Sequence, residues 1–370
     1  MTASPGRRAR RQNFDRIVVI CTRQIGDVLV TTPLIHAARA RWPEARIDVL
    51  GFAGTLGMLD GNPDVHERVE VQAGSTWRQS LSLIRRLWRR YDLALVAQYN
   101  DRAHLYGFVA GRYRAGLVPP EPKAWWKRAL LQHPIPLTGS HVLIDKLRLL
   151  EPWGGATAAE VVPPPGSALP APYADVTRPV VVQVPSIVTY KQWPIPYFAE
   201  VAATLAREGW TVVLTGGPSA ADRAAVAEVA AAASHPSVLP AAGDFDFRQL
   251  ATLLKGAALY IGPDTSVTHL AAACGVPVVA LFGPIDPRLW GPWAAGPSEP
   301  VIPYQSRGPL QHNGNVILLQ GEQSCVPCNR AGCDRHNGSR SACLDSITPA
   351  RVLAQARAIL AQAPVTPLPA

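Results

Sequence analysis

From Ala258 to Pro287 the chain alternates strand, turn, helix and strand, and this alternation limits the fold more than any other feature. Ala258-Leu259-Tyr260-Ile261 reads as a strand, and a helix then runs through Ala271, Ala272, Ala273 and Cys274 to a stop at Gly275-Val276-Pro277. A second strand, Val278 to Phe282, leads into Gly283-Pro284-Ile285-Asp286-Pro287. Strands joined by a helical crossover pair in parallel, and a run of such units builds an α/β sheet with helices on its faces. The turn Gly262-Pro263-Asp264-Thr265-Ser266 sits where a strand end meets a helix start. Free N–H groups at helix starts bind phosphate, and open α/β sheets bind ligands at this edge. The segment predicts a site for a nucleotide diphosphate.

The same alternation recurs elsewhere. Arg16 to Thr22 is a strand of mostly β-branched residues, followed by the turn Arg23 to Asp27, a helix from Val28 to Arg41 and a strand from Arg46 to Gly51. Ser75 to Arg90 has the apolar spacing of an amphipathic helix through Leu81, Ile84, Leu87 and Trp88, and it feeds a strand at Leu93 to Ala97. A second series runs through a strand at Val180 to Val184, a helix at Pro196 to Glu208, a strand at Thr211 to Thr215 and a helix at Ala220 to Ala233. Between the two series, residues 151–176 are rich in glycine and proline and read as a surface linker. With 370 residues and 48% apolar content, two domains are expected.

No apolar run reaches the roughly 18 residues of a membrane span. The basic run Arg7 to Arg11 is followed by Asp15 and Arg16 and lacks the apolar stretch of a signal peptide, so it reads as a frayed tail on a cytoplasmic protein. The proline-rich segment after the last helix, Pro349 to Gln362, reads as disordered. The net charge of +9 is uneven: residues 1–176 hold 23 Lys and Arg against 15 Asp and Glu, while the remainder hold 13 against 12. That bias predicts an anionic partner for the first half. Its candidate contacts are Arg85, Arg86, Arg89 and Arg90, and the basic-aromatic stretch Lys123 to Arg128.

Neither a dinucleotide-binding G-x-G-x-x-G nor a P-loop is present. Asp27, at the first strand-to-helix turn, reads either as a helix N-cap or as a general base. Lys191, in a loop after the Val180 strand, is placed to meet an anion at the Thr265 helix start. His269, one turn into that helix, suits either packing or catalysis. Cys21 and Cys274 read as small core residues, and the six cysteines do not form a disulfide framework. Cys325, Cys328, Cys333 and Cys343 give C-x₂-C-x₄-C-x₉-C, a spacing compatible with a structural zinc site or with reduced thiols in a loop.

Four segments together resemble glycosyltransferase family 9, the ADP-heptose:lipopolysaccharide heptosyltransferases. They are Gln24 to Leu29 with Thr31-Thr32-Pro33, then Lys191-Gln192-Trp193-Pro194, Gly262 to Ala273, and Phe282 to Pro287. The resemblance implies a GT-B fold of two facing Rossmann-like domains with a cleft between them. It places an acceptor domain at 14–160, a nucleotide-sugar domain at 177–345 and a helix at 346–362 crossing back to the first domain. It implies inverting transfer of a heptose, or a similar sugar, from an ADP-sugar to the lipopolysaccharide inner core, with no cofactor required for catalysis. By position, Asp27 would deprotonate the acceptor hydroxyl and Lys191 would hold the donor diphosphate. Asp264, Thr265, Ser266 and His269 would line the diphosphate and sugar, and Phe245 would lie near the adenine. Ser266 stands where many members of the family have glycine. The expected acceptor is an anionic phosphorylated glycolipid at the inner face of the cytoplasmic membrane. The competing readings are a sugar-nucleotide epimerase on the same fold and a basic nucleic-acid-binding module. Against the second, the chain has no RNA-binding signature, so no nucleic-acid partner is expected.

Overall fold

The computed structural model describes residues 13–74 and 77–362. The basic run Arg7 to Arg11, the start of the helix expected from Ser75 and the tail past residue 362 lie outside them. The chain divides into two compact units, one running to Val162 and including Pro297–Val301, the other comprising Pro163–Gly296 and the chain from Ile302 onward. The short return segment joins the first unit through a two-way bridge between Ala159 and Ser298. The linker expected at 151–176 is therefore divided between the units at Val162 and Pro163.

In the first unit, among the described residues, six strands form one parallel sheet: β1 (Arg16–Cys21), β2 (Arg46–Phe52), β3 (Glu67–Val71), β4 (Tyr91–Val96), β5 (Gly111–Val118) and β6 (His133–Pro136). Their order is β3-β2-β1-β4-β5-β6. The order reverses between β1 and β4, which pair in register from Ile17 with Leu93 to Ile20 with Val96. β1 reads Arg-Ile-Val-Val-Ile-Cys and is buried from its second residue on, the near-continuous apolar run of a strand covered on both faces.

The helix expected from Val28 to Arg41 is two helices, Ile25–Leu29 and Thr32–Arg41. Pro33 explains the break, because it has no N–H to give to the carbonyl of Leu29 and its ring crowds that carbonyl. The Thr32 hydroxyl donates to the Leu29 carbonyl instead, at 2.7 Å.

The second unit holds a seven-stranded sheet of β7 (Val180–Gln183), β8 (Val212–Gly216), β9 (Val238–Ala242), β10 (Leu259–Pro263), β11 (Val278–Phe282), β12 (Leu310–Asn313) and β13 (Val316–Gln320). The order is β12-β13-β11-β10-β7-β8-β9, parallel except for the edge strand β12. Here the reversal falls between β7 and β10. The final helix, Pro349–Leu360, buries Val352, Leu353, Ala356 and Leu360 in the core of the second unit, with Phe198, Val201 and Leu205 of helix Ile195–Arg207. At roughly 1.5–3 kcal/mol per fully buried aliphatic side chain, this helix is part of that unit's fold.

Candidate active site

Each sheet places functional side chains where its strand order reverses. In the first unit, the loops after β1 and β4 meet at this point. Asp27 is the third residue of helix Ile25–Leu29, and its side chain is buried. Gln24 occupies the N-cap position, with no side-chain cap, so the capping role considered for Asp27 is not the one it fills. Its carboxylate accepts a hydrogen bond from Gln98 Nε2 at 3.1 Å, and Arg23 Nε lies 3.9 Å from the other oxygen. The first turn of a helix is also where a carboxylate is stabilised by the backbone N–H groups. Gln98, just past β4, has no sequence signature; only the adjacency of β1 and β4 brings it to Asp27.

In the second unit, the loop after β7 carries Lys191 and the end of β10 carries Asp264. Lys191 Nζ lies 2.6 Å from Asp264 Oδ2, an ion pair whose aspartate is almost fully enclosed. Thr265 is the N-cap of helix Ser266–Cys274, and Ser266 opens it. His269 is buried, with Nε2 3.9 Å from Asp264 Oδ1. The structure thus brings Lys191, Asp264, Thr265, Ser266 and His269 together at one helix start.

The surrounding residues explain how this arrangement is held. The Gln192 side chain donates to the Val184 carbonyl at 2.8 Å and accepts from Ser186 N–H at 2.9 Å, folding the loop back on β7. Trp193 is fully buried and donates its indole N–H to the Ile347 carbonyl at 2.8 Å. The two residues following Lys191 therefore act as scaffold for the loop that brings Lys191 to Asp264. Beneath the helix start, Thr268 donates to the Pro263 carbonyl and meets the buried Tyr260 hydroxyl at 2.8 Å. Burial pushes the Tyr260 phenol well above its ordinary range.

Phe245 lies in the loop after β9, its ring centroid 4.8 Å from that of Tyr173. β9 is three strands from β10, or about 14 Å at ~4.8 Å per strand.

The cysteines do not form the expected metal site. Among the described residues, no group of three or more His, Cys, Asp or Glu is arranged to hold a metal ion. Cys325 and Cys333 are exposed, whereas Cys343 is buried against Gly283 and Gly321. Burial, reinforced by the neighbouring thiols, pushes Cys343 up to about 12. The segment works as a brace: Ser341 Oγ donates to the Tyr190 carbonyl at 2.7 Å, Thr189 N–H donates to the Asn337 carbonyl, and Asn329 N–H donates to that of Pro284. Two loops at the sheet edge are held by it.

The basic surface of the first unit is also more committed than its sequence implies. Arg86 and Arg90 pair with Glu67 at 3.0 and 2.8 Å, and Arg89 donates to the Gly111 carbonyl. Lys127 is buried, with Nζ 2.7 Å from Asp101 Oδ1, and Arg128 donates to the Pro119 carbonyl. Helix Trp77–Leu87 turns Leu87 into the core and leaves Leu81, Ile84 and Trp88 exposed, Trp88 by 58%. Leu81 and Ile84 lie one turn apart on the helix, Trp88 follows its last residue, and Arg85, next to Ile84, is exposed.

A model of glycosyltransferase family 9 (heptosyltransferase) matches residues 80–298. Lipopolysaccharide heptosyltransferase 3 of Escherichia coli is 31% identical over 287 residues, covering 73% of this chain and 84% of that protein. Lipopolysaccharide heptosyltransferase 1 of Pseudomonas aeruginosa is 27% identical, covering 93% and 98% respectively. Among solved structures, the E. coli ADP-heptose lipopolysaccharide heptosyltransferase II aligns over 94% of this chain and 99% of its own, with a TM-score of 0.70 at 22% identity.

Proposed function

Because the chain belongs to glycosyltransferase family 9, the heptosyltransferases, we propose that it transfers a heptose from ADP-heptose, with inversion, to a phosphorylated lipopolysaccharide inner core. The observation that carries this reading is the convergence of Lys191 and Asp264 on the start of helix Ser266–Cys274. As the bond from the anomeric carbon to the diphosphate breaks, negative charge collects on the leaving group. A helix N-terminus and an ammonium stabilise that charge where it develops. Asp27 takes the proton of the acceptor hydroxyl while its oxygen attacks the anomeric carbon, and the departing ADP keeps the bonding electrons. Gln98 fixes the carboxylate for this step by donating to Oδ1.

The reading includes peripheral attachment to the cytoplasmic face of the membrane. No helix among the described residues is long and apolar enough to cross a membrane. Leu81, Ile84 and Trp88 beside Arg85 offer an apolar stripe flanked by positive charge, the composition of a helix lying at an anionic lipid surface.

The test is an assay with ADP-heptose and lipopolysaccharide from cells lacking the corresponding heptose. Transfer with inverted anomeric configuration is expected. Consumption of the donor without acceptor, yielding an isomeric nucleotide sugar, would refute the transferase reading.

A further inference from the structure

Helix Ile25–Leu29, which carries Asp27, is five residues long. A helix this short has little stability of its own, and its last carbonyls need partners from outside its backbone ladder. Gly26 carbonyl accepts from Val30 N–H and Val28 carbonyl from Thr31 N–H. The Leu29 carbonyl takes the Thr32 hydroxyl. The carbonyl of Asp27 itself is served by side chains: Thr31 Oγ1 at 2.6 Å and Lys146 Nζ at 2.7 Å. Lys146 also donates to Thr31 Oγ1 at 2.7 Å, closing a three-membered network.

Lys146 comes from helix Val142–Leu147 and is 1% exposed. Burying an ammonium is costly unless hydrogen bonds and opposite charge offset it. Nothing in the anion or membrane chemistry proposed above requires a cation inside the first unit. We propose that Lys146 is a positioning residue for Asp27: it caps the helix that carries the carboxylate and fixes its backbone. This inference rests on the reading of Asp27 as the general base.

The groups that bear on Asp27 are few. Arg23 lies on its own turn, Gln98 follows β4, Cys21 ends β1, and Lys146 reaches it from helix Val142–Leu147. Burial pushes the Cys21 thiol up, which keeps it uncharged near neutrality. Burial pushes the Lys146 ammonium down, while Cys21 and Asp27 act in the opposite sense.

The experiment compares Lys146→Met and Lys146→Gln with wild type and Asp27→Asn in the full chain, after circular dichroism and thermal melting establish folding. Lys146→Met should lower kcat by on the order of 10- to 100-fold, the scale of a misplaced reacting group, with donor KM little changed. Lys146→Gln, a neutral donor, should regain part of kcat. A folded Lys146→Met enzyme with wild-type kcat, or a Lys146→Gln enzyme no faster than Lys146→Met, would overturn the proposal, leaving the base assignment intact if Asp27→Asn is inactive. Full turnover by Asp27→Asn would overturn the base assignment, and the proposal with it. If neither lysine variant folds, Thr31→Val removes the shared hydroxyl and keeps the charge. It should lower kcat with donor KM little changed, and wild-type kcat in that variant would overturn the tether.

Discussion

Replacing Lys191 by Met removes the ammonium that lies 2.6 Å from Asp264 and leaves an enclosed carboxylate facing the site proposed for the diphosphate. Two unit charges 4 Å apart interact by about 4 kcal/mol at an effective dielectric of ~20. Hydration offsets much of this, and a hydrogen bond to a charged group contributes about 1.5–3 kcal/mol net. At about 1.4 kcal/mol per decade, ADP affinity should fall roughly 10- to 150-fold. Part of that loss is repulsion from the orphaned Asp264, so the double variant Lys191→Met/Asp264→Asn should bind ADP about 5- to 10-fold more tightly than Lys191→Met. This is the scale of coupling between contacting charges, ~1 kcal/mol or more. Calorimetric titration with ADP at fixed ionic strength measures all four corners of the cycle. ADP affinity within twofold of wild type in Lys191→Met would refute the assignment of Lys191 to the diphosphate. A double variant no better than the single one would refute the repulsion argument.

Three further outcomes follow from the same structure. Replacing Leu81, Ile84 and Trp88 together by Ser should reduce co-sedimentation with anionic phospholipid vesicles several-fold while ADP affinity is retained; unchanged sedimentation would remove this stripe from the membrane reading. At pH 8, iodoacetamide should label the exposed Cys325 and Cys333 in the folded protein while Cys343, held near 12, stays unmodified; labelling of Cys343 at their rate would contradict its burial. Burial alone would raise Asp286, but hydrogen bonds from Arg288 and Ser306 outweigh it and hold the carboxyl below its ordinary 3.8. The stability it contributes is therefore present above that value and lost as pH falls through the lower folded value. Asp286→Asn should destabilise by about 1–3 kcal/mol at neutral pH, with the difference shrinking below pH 4; a pH-independent difference would contradict this.

The alternation of elements was legible where the strands are apolar runs bounded by turn residues, as in β1, β7 and β11, and not in polar strands such as β3 and β12. Ala220–Ala233 and Val278–Phe282 have the bounds read from sequence. Lys191 and the Thr265 helix start were legible as separate loop features. Their pairing through Asp264 needed the adjacency of β7 and β10, which strand order decides and local sequence does not. Gln98 and Lys146 reach Asp27 from 71 and 119 positions away. A glutamine after a strand and a lysine in an apolar helix carry no local mark of that role. The cysteine spacing fixes distance along the chain only; the burial of Cys343 and the exposure of Cys325 and Cys333 are tertiary outcomes. The pairing of Arg86 and Arg90 with Glu67 on β3 was likewise not legible from local sequence.

The central claim is that Asp27 removes the acceptor proton in a glycosyl transfer. The most direct measurement is the rate of heptose transfer from ADP-heptose to heptose-deficient lipopolysaccharide by wild type and by Asp27→Asn, both saturated with donor. Asn preserves the shape of the side chain and can still interact with Gln98, so donor binding should be unchanged while turnover falls about 10²-fold or more. Wild-type turnover by Asp27→Asn would contradict the account.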